Sequence, residues 1–170
     1  MNKQKIEISD IQRQQVEQAL GQWHHIACQY FQKSPPVPEI NFALRGKAAG
    51  TAHAQRWLIR LNAVLFCDNQ TEFVQQVIPH ELAHLWAFYL YGNRQKPHGD
   101  AWRAIMTQVF QRPADVTHQF DISASQGERY IYHCACQQHH LTIRRHNKIQ
   151  RGQTQYRCKT CGETLRAQTQ

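Results

Sequence analysis

Pro79-His80-Glu81-Leu82-Ala83-His84-Leu85-Trp86 is the stretch on which the reading of this 170-residue chain turns. It carries the pattern HExxH within an apolar run over residues 73–90. On a helix, residues four apart share a face, so His80 and His84 can direct two imidazoles at one metal ion. Zinc suits such a pair, because it accepts neutral His nitrogen and tolerates an open coordination position. Glu81 is displaced by one residue. Its carboxylate therefore falls beside the metal, where it can take a proton from an attacking water. The flanking Ile78, Leu82, Leu85, Trp86, Phe88 and Tyr89 indicate a buried helix. Burying two His and a Glu without partners is costly, and a shared metal satisfies all three.

Working outward, Asn69 with Glu72 resembles a capping box for a helix over about 71–91, which ends near Gly92-Asn93. Pro79 removes a backbone donor inside it. It should kink the helix just before His80, or else mark where two shorter helices meet. A hydrolytic zinc usually takes three protein ligands plus water. One extended signature continues HExxH with a glycine and a third histidine; Ala87 and Leu90 fill those places, which excludes it. Another takes a Glu from a second helix. Near the next expected helix, over 100–110, the acidic residue is Asp100. His98, at the mouth of that helix, is the best remaining third ligand. Trp102, Ile105, Met106 and Val109 form the helix's apolar face.

Upstream, Ser9-Asp10 can cap a helix whose apolar residues, from Ile11 to Phe31, recur at helical spacing. His24, His25 and Cys28 lie within it and read as structural. Ser34-Pro35-Pro36-Val37-Pro38 ends it. Residues 39–44 read as a strand, and 51–55 and 57–61 as two more or one bent one, in a small antiparallel sheet with His53 on the surface. An edge of that sheet beside the HExxH helix could bind an extended peptide as an added strand. Cys67 reads as a buried thiol.

No apolar run reaches the length of a bilayer span, which argues against a membrane protein. The opening MNKQKIEISD lacks the apolar core of a signal peptide, so a cytoplasmic location is expected. Six Cys in a reducing compartment argue for metal ligation over disulfides. Net charge is +8. From Glu128 onward there are eight Lys/Arg and two Glu, and this asymmetry suggests a polyanion partner.

After a connector over 117–127, the basic tail carries Cys134-x-Cys136 and Cys158-x-x-Cys161-Gly162. Four thiolates on two turns make a zinc ribbon, with His133, His139 or His140 as alternatives to one Cys. A domain this small needs the metal for its fold. Residues 141–151 read as a hairpin with a cationic outer face. Arg144, Arg145, Lys148 and Arg151, with Arg157 and Lys159, could contact phosphates. Tyr132, Tyr156 and the His residues could stack on unpaired bases. Such binding to DNA, single-stranded or otherwise, would be sequence-tolerant and salt-sensitive.

His80-Glu81-Leu82-Ala83-His84, then His98-Gly99-x-x-Trp102, then paired cysteines, resembles the SprT family of zinc metallopeptidase-like proteins, which includes the Spartan DNA-dependent proteases. The resemblance covers most of the chain and lies closest to the short bacterial members. It implies His80, His84 and His98 as ligands of a catalytic zinc and Glu81 as the catalytic acid/base. The expected fold is α+β: a zincin-like domain over 1–120, then a zinc ribbon over 121–170 holding a second, structural zinc. The expected function is zinc-dependent hydrolysis of peptide bonds in a protein or peptide substrate, with DNA-associated proteins as one candidate class. Two rivals are a non-catalytic, zinc-containing nucleic-acid-binding protein and a small-peptide hydrolase indifferent to DNA. Glu81 argues against the first, since a structural site has no need of that carboxylate.

Overall fold

A computed structural model of the chain describes residues 6–117 and 129–167. The chain divides into two compact units, 1–125 and 126–170. The expected boundary at 120/121, and the connector from 118 onward, lie outside the described residues.

The first unit opens with α1 (Asp10–Phe31). Its N-terminus is closed by a capping box, in which Ser9 Oγ accepts from the Gln12 amide and Gln12 returns the bond to Ser9 N–H. Then come β1 (Glu39–Asn41), β2 (Gly50–His53), a 3₁₀ turn (Ala54–Arg56) and β3 (Leu58–Leu61). The sheet order is β1-β3-β2. β2 and β3 pair antiparallel as expected, with Gly50 opposite Leu61 and Ala52 opposite Ile59. β1 instead runs parallel to β3. The β2–β3 connection is short and forms a hairpin, and β1 adds to the side of β3 away from β2. This leaves β2 as an edge strand.

Asn62 joins the sheet to the next helix. Its side chain accepts from Val64 N–H and so caps α2 (Ala63–Asp68). Its amide donates to the carbonyls of Gly46 and Ala48, which pins the loop leading into β2. Cys67 is only half-buried.

The HExxH region is not one kinked α-helix. Short α3 (Gln70–Glu72) runs into a π turn (Phe73–Val77) and then α4 (Ile78–Tyr91), with Pro79 in its first turn. The Asn69–Glu72 capping box does not form; Asn69 donates to the Leu65 carbonyl instead. In the π turn, Ile78 N–H reaches back five residues to Phe73 O. The next such bond would link Val74 O to residue 79, a proline without an N–H. Trp23 of α1 fills the gap: its Nε1–H donates to Val74 O at 2.9 Å. The proline is thus absorbed by a local widening of the helix and by an indole from elsewhere in the chain.

α4 carries Ile78, Leu82, Leu85 and Trp86 into the core, where they meet Ile59, Leu61, Phe66 and Phe73. α1 and β2 pack against it. α5 (Asp100–Ala104) continues into a second π turn (Ile105–Val109) and buries Trp102, Ile105 and Met106. Among the described residues, no helix is long and apolar enough to cross a membrane.

The second unit is β4 (Arg129–His133), β5 (Gln138–Thr142), α6 (Ile143–Gln150) and β6 (Arg166–Ala167), with sheet order β5-β4-β6. The expected hairpin over 141–151 is a helix. Ile143, His146 and Ile149 recur at helical spacing. His146 stacks on Tyr130 at 3.8 Å, and Ile149 packs on the small core of Tyr132, Leu141, Cys158 and Leu165. The architecture of the chain is α+β throughout.

Candidate metal centres

α4 projects His80 and His84 from one face, and the turn before α5 brings in His98. The three Nε2 atoms form a near-equilateral triangle: 3.1 Å for His80–His98, 3.2 Å for His84–His98 and 3.3 Å for His80–His84. Nitrogens bonded to one tetrahedral zinc lie about 3.3 Å apart. A neutral imidazole has one N–H, which cannot serve both neighbours in such a triangle; a shared cation satisfies all three. The ligand set therefore fits zinc.

Electrostatics favour the metal-binding form. Burial, then the neighbouring His80 and His98, depress His84 to about 3. The Pro97 carbonyl works against that shift by accepting a hydrogen bond from the ring, which also fixes its orientation. Burial lowers His98 as well, assisted by Arg103. Neutral imidazoles are what a metal requires. Trp102, 1% exposed, forms the floor. Its ring lies 4.7–5.5 Å from the three imidazoles, and its Nε1–H donates to the His80 carbonyl. Sequence spacing showed Trp102 only as a core residue.

Glu81 is 7% exposed. Burial raises its carboxyl to about 8, opposed by the Ala52 amide of β2, which donates to it. All four residues open on a cleft of about 1370 Å³, walled on one side by Gly50, Thr51 and Ala52 of β2. The site can thus hold one cation at three nitrogens, with a buried carboxyl beside it. His53 lies outside this cleft's lining.

In the second unit, Cys134, Cys136, Cys158 and Cys161 gather their sulfurs within 4.8 Å of one another. Cys134–Cys136 is 3.5 Å and Cys136–Cys158 is 3.6 Å, against about 3.8 Å for thiolates on one tetrahedral zinc. The Cys161 and Thr160 amides bring Cys158 down to about 5. The turn closes through Gly162, at φ +75°. His139 Nε2 lies 3.2 Å from Cys134 Sγ, beside the group of four sulfurs that could hold an ion.

Of the candidate phosphate contacts, Arg144, Arg145 and Lys148 lie on α6, Arg151 caps it, and Arg157 and Lys159 flank Cys158; all are exposed. Arg144, Lys148 and Arg151 fall on one helical stripe. Arg145 instead lies over the Tyr156 ring at 5.5 Å. Tyr132 cannot stack on a base: it is 0% exposed and its hydroxyl is bonded to His146.

Residues 20–123 match the SprT-like family, and residues 128–168 match the SprT-like zinc ribbon domain. The chain is 46% identical to a protein named SprT from Serratia proteamaculans over 98% of its own length and 96% of that protein's. Its identity to the SprT of Yersinia enterocolitica is 47% over 90% of this chain and 89% of the other. Vibrio atlanticus SprT is 45% identical over 91% of this chain and 92% of its own. No solved structure matches.

Proposed function

The chain belongs to the SprT-like family, and from that premise we propose that it is a zinc-dependent metallopeptidase. The observation that carries the proposal is the triangle of His80, His84 and His98 nitrogens with buried Glu81 beside it. His80, His84 and His98 would hold the zinc, which would supply Lewis acidity for the scissile carbonyl and for water. Glu81 accepts a proton from the attacking water at its carboxylate and returns it to the leaving amine. A substrate backbone lies along edge strand β2, which reads main chain more than side chains. In this reading the catalytic domain spans 1–120 and the ribbon 121–170. The ribbon holds a structural zinc on Cys134, Cys136, Cys158 and Cys161. The location is cytoplasmic, where the Cys stay reduced.

The exposed stripe of Arg144, Lys148 and Arg151 favours a second element, in which the ribbon brings the enzyme to nucleic acid and hence to DNA-associated proteins. The test is cleavage of casein or histone with and without single-stranded DNA, comparing the native chain with Glu81→Gln at equal zinc content. Cleavage that needs Glu81 and DNA supports both elements. Cleavage that needs Glu81 alone removes the DNA step. Zinc and DNA bound without turnover would favour a non-catalytic nucleic-acid-binding protein.

A further inference from the structure

We propose that Gly50 is a positioning residue for Glu81: the missing side chain at this point of β2 is what lets the carboxylate stand beside the three histidines. The inference rests on the proton-carrying role given to Glu81 above. Gly50 does not occupy the left-handed region, so backbone conformation does not demand a glycine. Space does. A Cβ there would lie 2.7 Å from Glu81 Cγ, 2.9 Å from Oε1 and 3.0 Å from Cδ. Carbon contacts are favourable at about 3.5–4.0 Å, so this is a clash with the stem of the side chain as well as its tip. No other described glycine is so confined. Gly99 would meet Lys96 at 3.2 Å, and Gly21, Gly46, Gly92, Gly152 and Gly162 would meet nothing within 4 Å.

Neither backbone is free to retreat. Glu81 sits on α4 between buried Leu82 and Ala83 on one side and buried Ile78 and Pro79 on the other. Gly50 is paired with Leu61, and the loop before it is pinned by Asn62 to Gly46 and Ala48. Two residues on, the Ala52 amide holds the same carboxylate. β2 thus acts on Glu81 twice, once through a donor and once through an absent side chain. An alanine at 50 turns Glu81 into another rotamer and away from the Ala52 amide. The closest contacts of the added methyl, all three of them, are with Glu81.

A double-mutant cycle tests this on the full zinc-loaded chain, using native protein, Gly50→Ala, Glu81→Ala and the double variant. Thermal midpoints and zinc content are read for each. We expect Gly50→Ala to lower Tm by about 3 °C or more in the native background. In the Glu81→Ala background it should cause no loss, because the added methyl enters the space Glu81 vacates. Zinc at the histidines should be retained in all four. If Gly50→Ala lowers Tm equally in both backgrounds, or if neither Gly50→Ala chain folds, the glycine serves something other than Glu81 and the proposal fails. Folding of the double variant alone would support it. With peptide substrate, Gly50→Ala should lower kcat by about 10²-fold or more, with KM within a few-fold. A raised KM at native kcat would overturn the assignment. Absence of turnover in the native chain would sink the peptidase reading and leave the stability cycle to decide this one.

Discussion

The two metal-ligand clusters are built on opposite principles. The histidine cluster stands on a large core: α4 is buried by α1, β2 and the aromatic floor of Trp102, and its ligand triangle is set by helix and turn geometry. The cysteine cluster stands on four core residues, Tyr132, Leu141, Cys158 and Leu165, one of them a ligand itself. In the first, packing positions the ligands. In the second, the ligands stand in for packing. A unit spanning only 126–170 buries too little apolar surface to fold firmly without such a cross-link.

The most forceful way to break this contrast is to take the metal away. Chelation should unfold 126–170 while 1–125 keeps its tertiary structure, and Cys158→Ser should do the same to the ribbon alone. Structural zinc in comparable domains is worth on the order of 10 kcal/mol. All four Trp lie in the first unit, so their fluorescence reports on it separately, while NMR of Tyr132 and Leu141 reports on the ribbon. If both units survive chelation, or both collapse, the contrast is wrong.

A smaller effect sharpens the claim that packing sets the histidine site. Trp23→Phe keeps the ring but leaves Val74 O, facing Pro79, without its donor. We expect a loss of about 1–3 kcal/mol in urea unfolding followed by Trp fluorescence, with the ribbon unaffected. No change would mean that the π turn satisfies itself.

The third prediction uses pH on the metal-free chain. Glu81 in the folded state titrates near 8, against an ordinary carboxyl near 4.5 when unfolded. Its contribution to stability is fully present below the unfolded value and is lost as pH rises through the folded one. Between pH 7 and 9, His84 is neutral in the folded state and mostly neutral in the unfolded one, since its folded value is about 3 and its ordinary one 6.5. The native chain should therefore lose more stability over that window than Glu81→Gln, as read from urea midpoints. Equal slopes would contradict the burial assigned to Glu81.

The least effect is expected on the outer face of α6. Replacing Arg144, Lys148 or Arg151 by Gln should each reduce the salt dependence of single-stranded DNA binding by about one in log–log slope, without loss of fold. Fluorescence anisotropy across a salt series checks this. An unchanged slope would remove that residue from the interface.

Legibility in the sequence followed the same division. His80, Glu81 and His84 are readable because their geometry is local to one helix, and the Cys pairs because their spacing is local to two turns. His98 needs a process of elimination, since a turn and not a period brings it in. Gly50 and Trp23 are invisible: one matters through a side chain it lacks, the other through a carbonyl 51 residues away. The segment that forms α6 passes for a hairpin because Arg144, Arg145 and Lys148 draw attention to charge, while Ile143, His146 and Ile149 carry the period.

Trp102 gives the histidine site an optical handle. Its indole lies about one ring's width from all three imidazoles, so a coloured or paramagnetic ion seated among them, such as cobalt(II), would lie well within quenching range of that fluorophore. Occupancy of this site could then be followed by light emission, in real time and without a substrate. The same ion among the four thiolates would announce itself by sulfur-to-metal absorption instead, so the filling of each site carries its own colour.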